Sequence, residues 1–125
     1  MAPRSSEELK SFIEGMLAKF DVAWKAKDAK AMSEFYHPDG VLISHGKWCV
    51  YGRKDIEAKY AEMYKLDCEY KVFIDENTET ENGEYIVHKG RFECSVKPGE
   101  SFTYQQIYQK QSDGSYLVYH EEFDE

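Results

Sequence analysis

The expected fold is α+β, with three helices toward the amino terminus packed on a curved, mixed but mainly antiparallel β-sheet. Three observations predict it. Apolar residues recur at helical steps as far as Trp24. A short helix then stops at Tyr36-His37-Pro38-Asp39-Gly40, a strand pair runs through Leu42 and Val50, and Gly52-Arg53-Lys54-Asp55 opens another helix. Beyond that helix the pattern turns to strands and stays there. Helices laid on one side of a curved sheet enclose a hollow, so the order of elements also says where a site would lie.

The first helix is signalled by Ser5 and Glu8, spaced as a capping box in which each side chain bonds the other's free backbone N–H. Leu9, Phe12, Ile13, Met16, Leu17, Phe20 and Trp24 then make one apolar stripe. Asp28 is placed to cap a shorter helix bearing Met32, Phe35 and Tyr36, which Pro38 ends. The third helix carries Ile56, Tyr60, Met63 and Tyr64 on one face.

The second half reads as strands. Residues 69–76 are rich in β-branched and aromatic side chains, and 84–96 alternate. In that run Ile86, His88, Gly90, Phe92, Cys94 and Val96 form the buried face, and Gly90 marks a bulge or bend. Pro98-Gly99 and Asp113-Gly114 are turn pairs that delimit strands at 101–111 and 116–123. Five carboxylates and no base between Asp75 and Glu84 lack the spacing of an EF-hand loop and read as a solvated hairpin tip. The closing Glu121-Glu122-Phe123-Asp124-Glu125 reads the same way, with Phe123 packed.

At 125 residues the chain suits a single domain spanning 1–125 and is too short for two cored ones. Its net charge of -8 repels phosphate backbones, so no nucleic-acid partner is expected. No apolar run approaches the ~20 residues of a membrane span. Met1 to Ser6 lacks the apolar middle of a signal peptide. Cys49, Cys68 and Cys94 are odd in number without CxxC spacing, which reads as half-buried, reduced thiols of a cytoplasmic protein. No zinc spacing, Gly-rich phosphate loop or nucleophile elbow occurs, so no metal or cofactor is expected.

Taken in order, these pieces resemble the NTF2-like superfamily, in particular its SnoaL-like or DUF4440-type members. The resemblance rests on Phe20-x3-Trp24, Lys27-Asp28, Phe35-Tyr36-His37-Pro38-Asp39-Gly40-Val41, Gly52-Arg53-x-x-Ile56, Gly90-Arg91-Phe92 and the closing run from Asp113 to His120. It implies an α+β cone, a pocket between helices and concave sheet, and a homodimer formed through the sheet. It implies no fixed activity, because the fold hosts isomerases, cyclases, dehydratases, transport factors and assembly modules. The ketosteroid-isomerase branch uses a carboxylate base, a Tyr and a protonated carboxylic acid. Laid on this chain by the spacing from Asp28, Asp39 and Gly114, those positions are Ser44, Phe20 and Gln106. The base is missing and the Tyr has become a phenyl ring, so that chemistry is not expected.

The remaining candidates point to a lined cavity. Phe20 and Trp24 lie one turn apart, as do Tyr60 and Tyr64. Phe102, Tyr104, Gln106 and Tyr108 share one strand face, expected to be concave, while Thr103, Gln105, Ile107 and Gln109 share the convex one. His88 is the candidate catalytic residue: an inward imidazole kept neutral by burial suits a general base, the alternative being a core histidine satisfied by a Tyr or a carbonyl. Ser44 and His45 point to opposite strand faces and cannot form a nucleophile–base pair. His37 falls in a turn, and His120 is expected to make structural hydrogen bonds. Phe20, Trp24, Ser44, Tyr60, Tyr64, His88, Tyr104, Gln106 and Tyr108 are the expected ligand-binding set. Two functions remain open: a cone binding a small, mostly apolar organic ligand, with proton shuffling at His88, or a non-catalytic homodimeric assembly module.

Overall fold

A computed structural model of the chain describes residues 4–125. Residues 1–3, part of the terminus read above, lie outside the described residues. The helices are α1 Ser6–Lys25, α2 Ala29–Glu34 and α3 Gly52–Met63. The strands are β1 Tyr36–Ser44, β2 Trp48–Tyr51, β3 Tyr70–Glu79, β4 Tyr85–Cys94, β5 Phe102–Lys110 and β6 Tyr116–Phe123. They form one sheet in the order β2-β1-β6-β5-β4-β3. Only the β1–β6 pair is parallel among these neighbours.

α1 begins as its cap requires. Ser5 Oγ accepts from the Glu8 N–H at 3.2 Å, and the Glu8 carboxylate accepts from the Ser5 N–H at 3.1 Å. Its stripe buries Leu9, Ile13, Met16 and Phe20 against the sheet, each contributing about 1.5–3 kcal/mol. Trp24 Nε1 donates to the Cys68 carbonyl at 3.0 Å, which ties the end of α1 to the approach of β3. Arg53 Nε donates to the Tyr36 carbonyl at 2.8 Å and ties α3 to β1.

Several boundaries differ from expectation. α2 stops at Glu34, and Tyr36 is already strand: the Val118 N–H donates to the Phe35 carbonyl at 2.9 Å, so pairing with β6 claims the chain before Pro38 can end a helix. His37 accordingly lies in the irregular opening of β1 rather than in a free turn. Tyr64 falls in a 3₁₀ turn, Tyr64–Leu66, not on α3. β4 ends at Cys94, which leaves Val96 exposed. The acidic run is only partly a hairpin tip. Asp75 to Glu79 belong to β3, where Asp75 takes a bidentate pair from Arg91 at 2.8 and 2.9 Å. Of the thiols, Cys68 and Cys94 are buried and Cys49 is exposed.

Two one-residue bulges shape the sheet. Ile74 pairs with Gly90 but Glu76 with Lys89, so Asp75 is the extra residue in β3, opposite the glycine expected to mark such a feature. Ile107 pairs with His120 but Tyr108 with Val118, so Tyr119 is extra in β6. A bulge bends its strand and increases local twist. The second one also exchanges the faces of β6: Val118 is buried before it, and Phe123 after it.

Candidate functional site

A cavity of about 330 Å³ lies between α1, α3 and the concave face of the sheet. Phe20 and Trp24 face it from α1, Tyr60 and Met63 from α3, and Tyr104 and Gln106 from β5. Tyr70, Val72 and Phe92 close the β3–β4 side, with Val72 43% exposed at the mouth. Asp21 also reaches the rim, where it is paired with Lys25 Nζ at 3.0 Å.

The closed end is polar. Glu121 Oε1 accepts from the Tyr36 hydroxyl at 2.7 Å and from Gln106 Nε2 at 2.9 Å. Because Tyr36 spends its proton on Glu121, the 2.6 Å contact between Tyr36 and Tyr60 is a bond donated by Tyr60. Tyr108 donates to Gln106 Oε1 at 2.7 Å, which fixes the amide so that its NH₂ faces the carboxylate. Glu121 Oε2 has no partner among the described residues and is not sealed in protein, so it is open to the cavity that Glu121 lines. Burial raises the Glu121 carboxyl above its ordinary range; the bonds from Gln106 and Tyr36 act the other way. Burial likewise holds the Tyr36, Tyr60 and Tyr108 hydroxyls well above theirs, so all three stay protonated as donors.

Glu121 lies outside the expected ligand-binding set, since the sequence pattern puts the acidic tail in solvent. Strict alternation from the buried Val118 would send Glu121 outward with Tyr119. The bulge at Tyr119 reverses the parity and turns Glu121 and Phe123 in together. The available signal was Phe123 itself, since a residue two positions before a packed strand phenylalanine shares its face.

The expected set divides in two. Phe20, Trp24, Tyr60, Tyr104 and Gln106 line the cavity. His88, Tyr64 and Tyr108 each stand one residue behind a lining side chain. His88 is fully buried, its Nε2 2.6 Å from the Tyr104 hydroxyl and its Nδ1 2.7 Å from Asn77 Oδ1. The Asn77 oxygen can only accept, so Nδ1 carries the proton and Nε2 accepts from Tyr104. Burial brings the imidazole down to about 4, which keeps it neutral. Tyr64 packs its ring 4.7 Å from Trp24, and burial pushes its hydroxyl up to about 12. Ser44 is 1% exposed and does not line the cavity; its Oγ has no hydrogen-bond partner among the described residues. Across the strand, His45 faces outward and meets Asp124 Oδ1 at 2.6 Å. His120 Nε2 meets Glu122 Oε2 at 3.1 Å.

No family model matches the sequence, and no curated protein matches it. Solved structures do. An NTF2-like protein with a cystatin-like fold from Novosphingobium aromaticivorans superposes with a TM-score of 0.68 at 17% identity, over 94% of this chain and 81% of that one. The fold is NTF2-like. A domain of unknown function with a cystatin-like fold from Nostoc punctiforme gives a TM-score of 0.76 at 12% identity, over 96% of this chain and 78% of the other. A putative calcium/calmodulin-dependent protein kinase II association domain from Xanthomonas campestris gives 0.71 at 19% identity, over 99% and 96%. The NTF2-like cone thus has a known outline, while its polar end is described by this chain's own residues.

Among the described residues, no group of His, Cys, Asp and Glu is arranged to hold a metal ion, and no helix is long and apolar enough to cross a membrane.

Proposed function

We propose that the NTF2-like cone binds one small, mostly apolar organic molecule whose polar group meets Glu121. The observation that carries this reading is the half-used carboxylate: Oε1 is held by Tyr36 and Gln106 while Oε2 opens into an aromatic-walled cavity. Ligand sites characteristically combine such apolar walls with a few placed polar groups. Proton transfer to or from a ligand falls to Glu121. His88 acts through Tyr104, whose hydroxyl it orients. The unbridged thiols fit a cytoplasmic setting.

A thermal-shift screen of small organic molecules tests this. A ligand at 100-fold saturation adds about 2.7 kcal/mol of stability. Stabilisation is expected to disappear in Val72→Trp, which fills the mouth. Hits that persist unchanged in that variant would place binding elsewhere and overturn the reading.

A second reading, a homodimeric assembly module, is favoured by the likeness to the putative kinase association domain. The outer face offers a surface for it. Thr103, Gln105, Ile107 and Gln109 are exposed or half-buried, Val87 pairs with Ile107, and Tyr119 is 37% exposed beside them. Pairing through this face leaves the cavity free, so the two readings are compatible. A mass of two chains by light scattering, reduced to one by Ile107→Lys, is the expected result; a monomeric wild-type protein would remove the homodimer.

A further inference from the structure

The cavity contains a carboxyl group with no cation beside it in the lining. Two carboxylates line it, and Asp21 at the rim already has Lys25 as its partner. Glu121, at the closed end, has no Lys, Arg or His beside it among the cavity-lining residues; its two partners, Tyr36 and Gln106, are neutral donors, and the nearby His120 lies outside the lining with Glu122 as its own partner at 3.1 Å. An ionised carboxylate in apolar surroundings needs either a counter-charge or its proton back.

The walls meanwhile suit a cation. Trp24, Tyr60, Tyr70, Phe92 and Tyr104 place five aromatic rings around the same space. Ring faces carry partial negative charge and attract ammonium groups, Trp most strongly. The chain's net charge of -8 raises the local concentration of cations in solution as well. A neutral ligand would leave an ionised Glu121 uncompensated, and an anionic one would be repelled. We infer that the ligand of this cone is an organic ammonium ion: a protonated amine on an apolar body, its N–H directed at Glu121 Oε2 and its carbon skeleton among the rings. This rests on the reading that the cone binds a small organic molecule, and it specifies the charge that molecule carries.

The test compares matched probes. Phenethylamine, 3-phenylpropylamine and cyclohexylethylamine are each titrated at pH 7 against the alcohol of the same skeleton, and phenylacetate serves as the anion. Trp48→Phe, which alters no cavity-lining residue, leaves Trp24 as the single indole reporter. At least one amine is expected to bind ten-fold or more tightly than its alcohol, with phenylacetate weakest. In Glu121→Gln the amine is expected to fall to the level of the alcohol, whose own affinity holds. Alcohols binding as tightly as amines would overturn the ammonium inference and leave the apolar-ligand reading standing, and so would a preference unchanged in Glu121→Gln. If none of the probes binds, the inference fails, and a thermal-shift screen that is also empty removes the broader reading with it. The wild-type comparison of amine and alcohol stands even if the Gln variant does not fold.

Discussion

Gly90 has no side chain because Tyr104 occupies the space. A Cβ on Gly90 would lie 2.7 Å from Tyr104 Cε1 and would clash with the Phe73 carbonyl oxygen. The ring that this glycine admits is the one His88 holds by its hydroxyl and the one that walls the cavity. Gly90→Ala is therefore expected to cost about 3 kcal/mol, at the upper end of overpacking penalties because one clashing atom is backbone. Urea denaturation measures the loss, and a changed near-UV spectrum would report the displaced tyrosine.

Tyr36→Phe removes one oxygen from the centre of the polar end. It deprives Glu121 of a donor and leaves the Tyr60 hydroxyl without its acceptor, both inside protein. The expected destabilisation is about 2 kcal/mol, since a bond to a charged group is lost and a buried donor is orphaned. Tyr60→Phe, which removes only the outer end of the chain of bonds, is expected to cost about half as much. Equal losses in the two variants would contradict the order of donation described above.

His88 makes stability depend on pH. Its folded value of about 4 lies below the ordinary 6.5, so the unfolded chain binds a proton that the folded one refuses. Its contribution is complete above pH 6.5 and is lost as the pH falls toward 4, roughly 3 kcal/mol in all. The wild-type protein is expected to lose stability faster than His88→Gln between pH 6.5 and 5, where most carboxylates remain ionised. Parallel unfolding curves for the two proteins across that range would contradict the neutral, buried imidazole.

Glu121 contributes with the opposite sign. Its carboxyl is raised by burial, so its share of stability is present below the ordinary carboxylate range and is lost as pH climbs through the raised value. Glu121→Gln keeps an oxygen for Tyr36 and Gln106 while removing the charge. It is expected to unfold at higher urea than wild type at pH 7, with the margin shrinking toward pH 4. A variant less stable at both pH values would show that the carboxylate is compensated within the protein.

The thiols give a simpler check of the fold. Cys49 is exposed on β2, whereas Cys68 and Cys94 are 5% and 9% exposed. An aromatic disulfide reagent is expected to modify one thiol at once and two only on unfolding. Three fast thiols would contradict the packing of β3 on β4.

Much of this arrangement could be read in the chain, and the reasons are local. The stripe from Leu9 to Trp24 and the alternation from Phe102 to Gln109 are periodicities of single elements, so they name the inward faces of α1 and β5 without any partner. The neutral, buried state of His88 follows from the same alternation. Its role does not: that Tyr104 stands between His88 and the cavity depends on how β4 and β5 are registered, with Gly90 opposite Tyr104 and His88 opposite Gln106.

Glu121 marks the boundary most sharply. Its neighbours Glu122, Asp124 and Glu125 carry the same charge and occupy the outer surface or its edge, and composition cannot separate one carboxylate from another. One additional residue, Tyr119, in a strand that pairs with both β5 and β1, reverses which way the strand's side chains point. Periodicity belongs to an element and is written along it; a bulge belongs to the contact between elements, and the acid at the end of the cone exists only there.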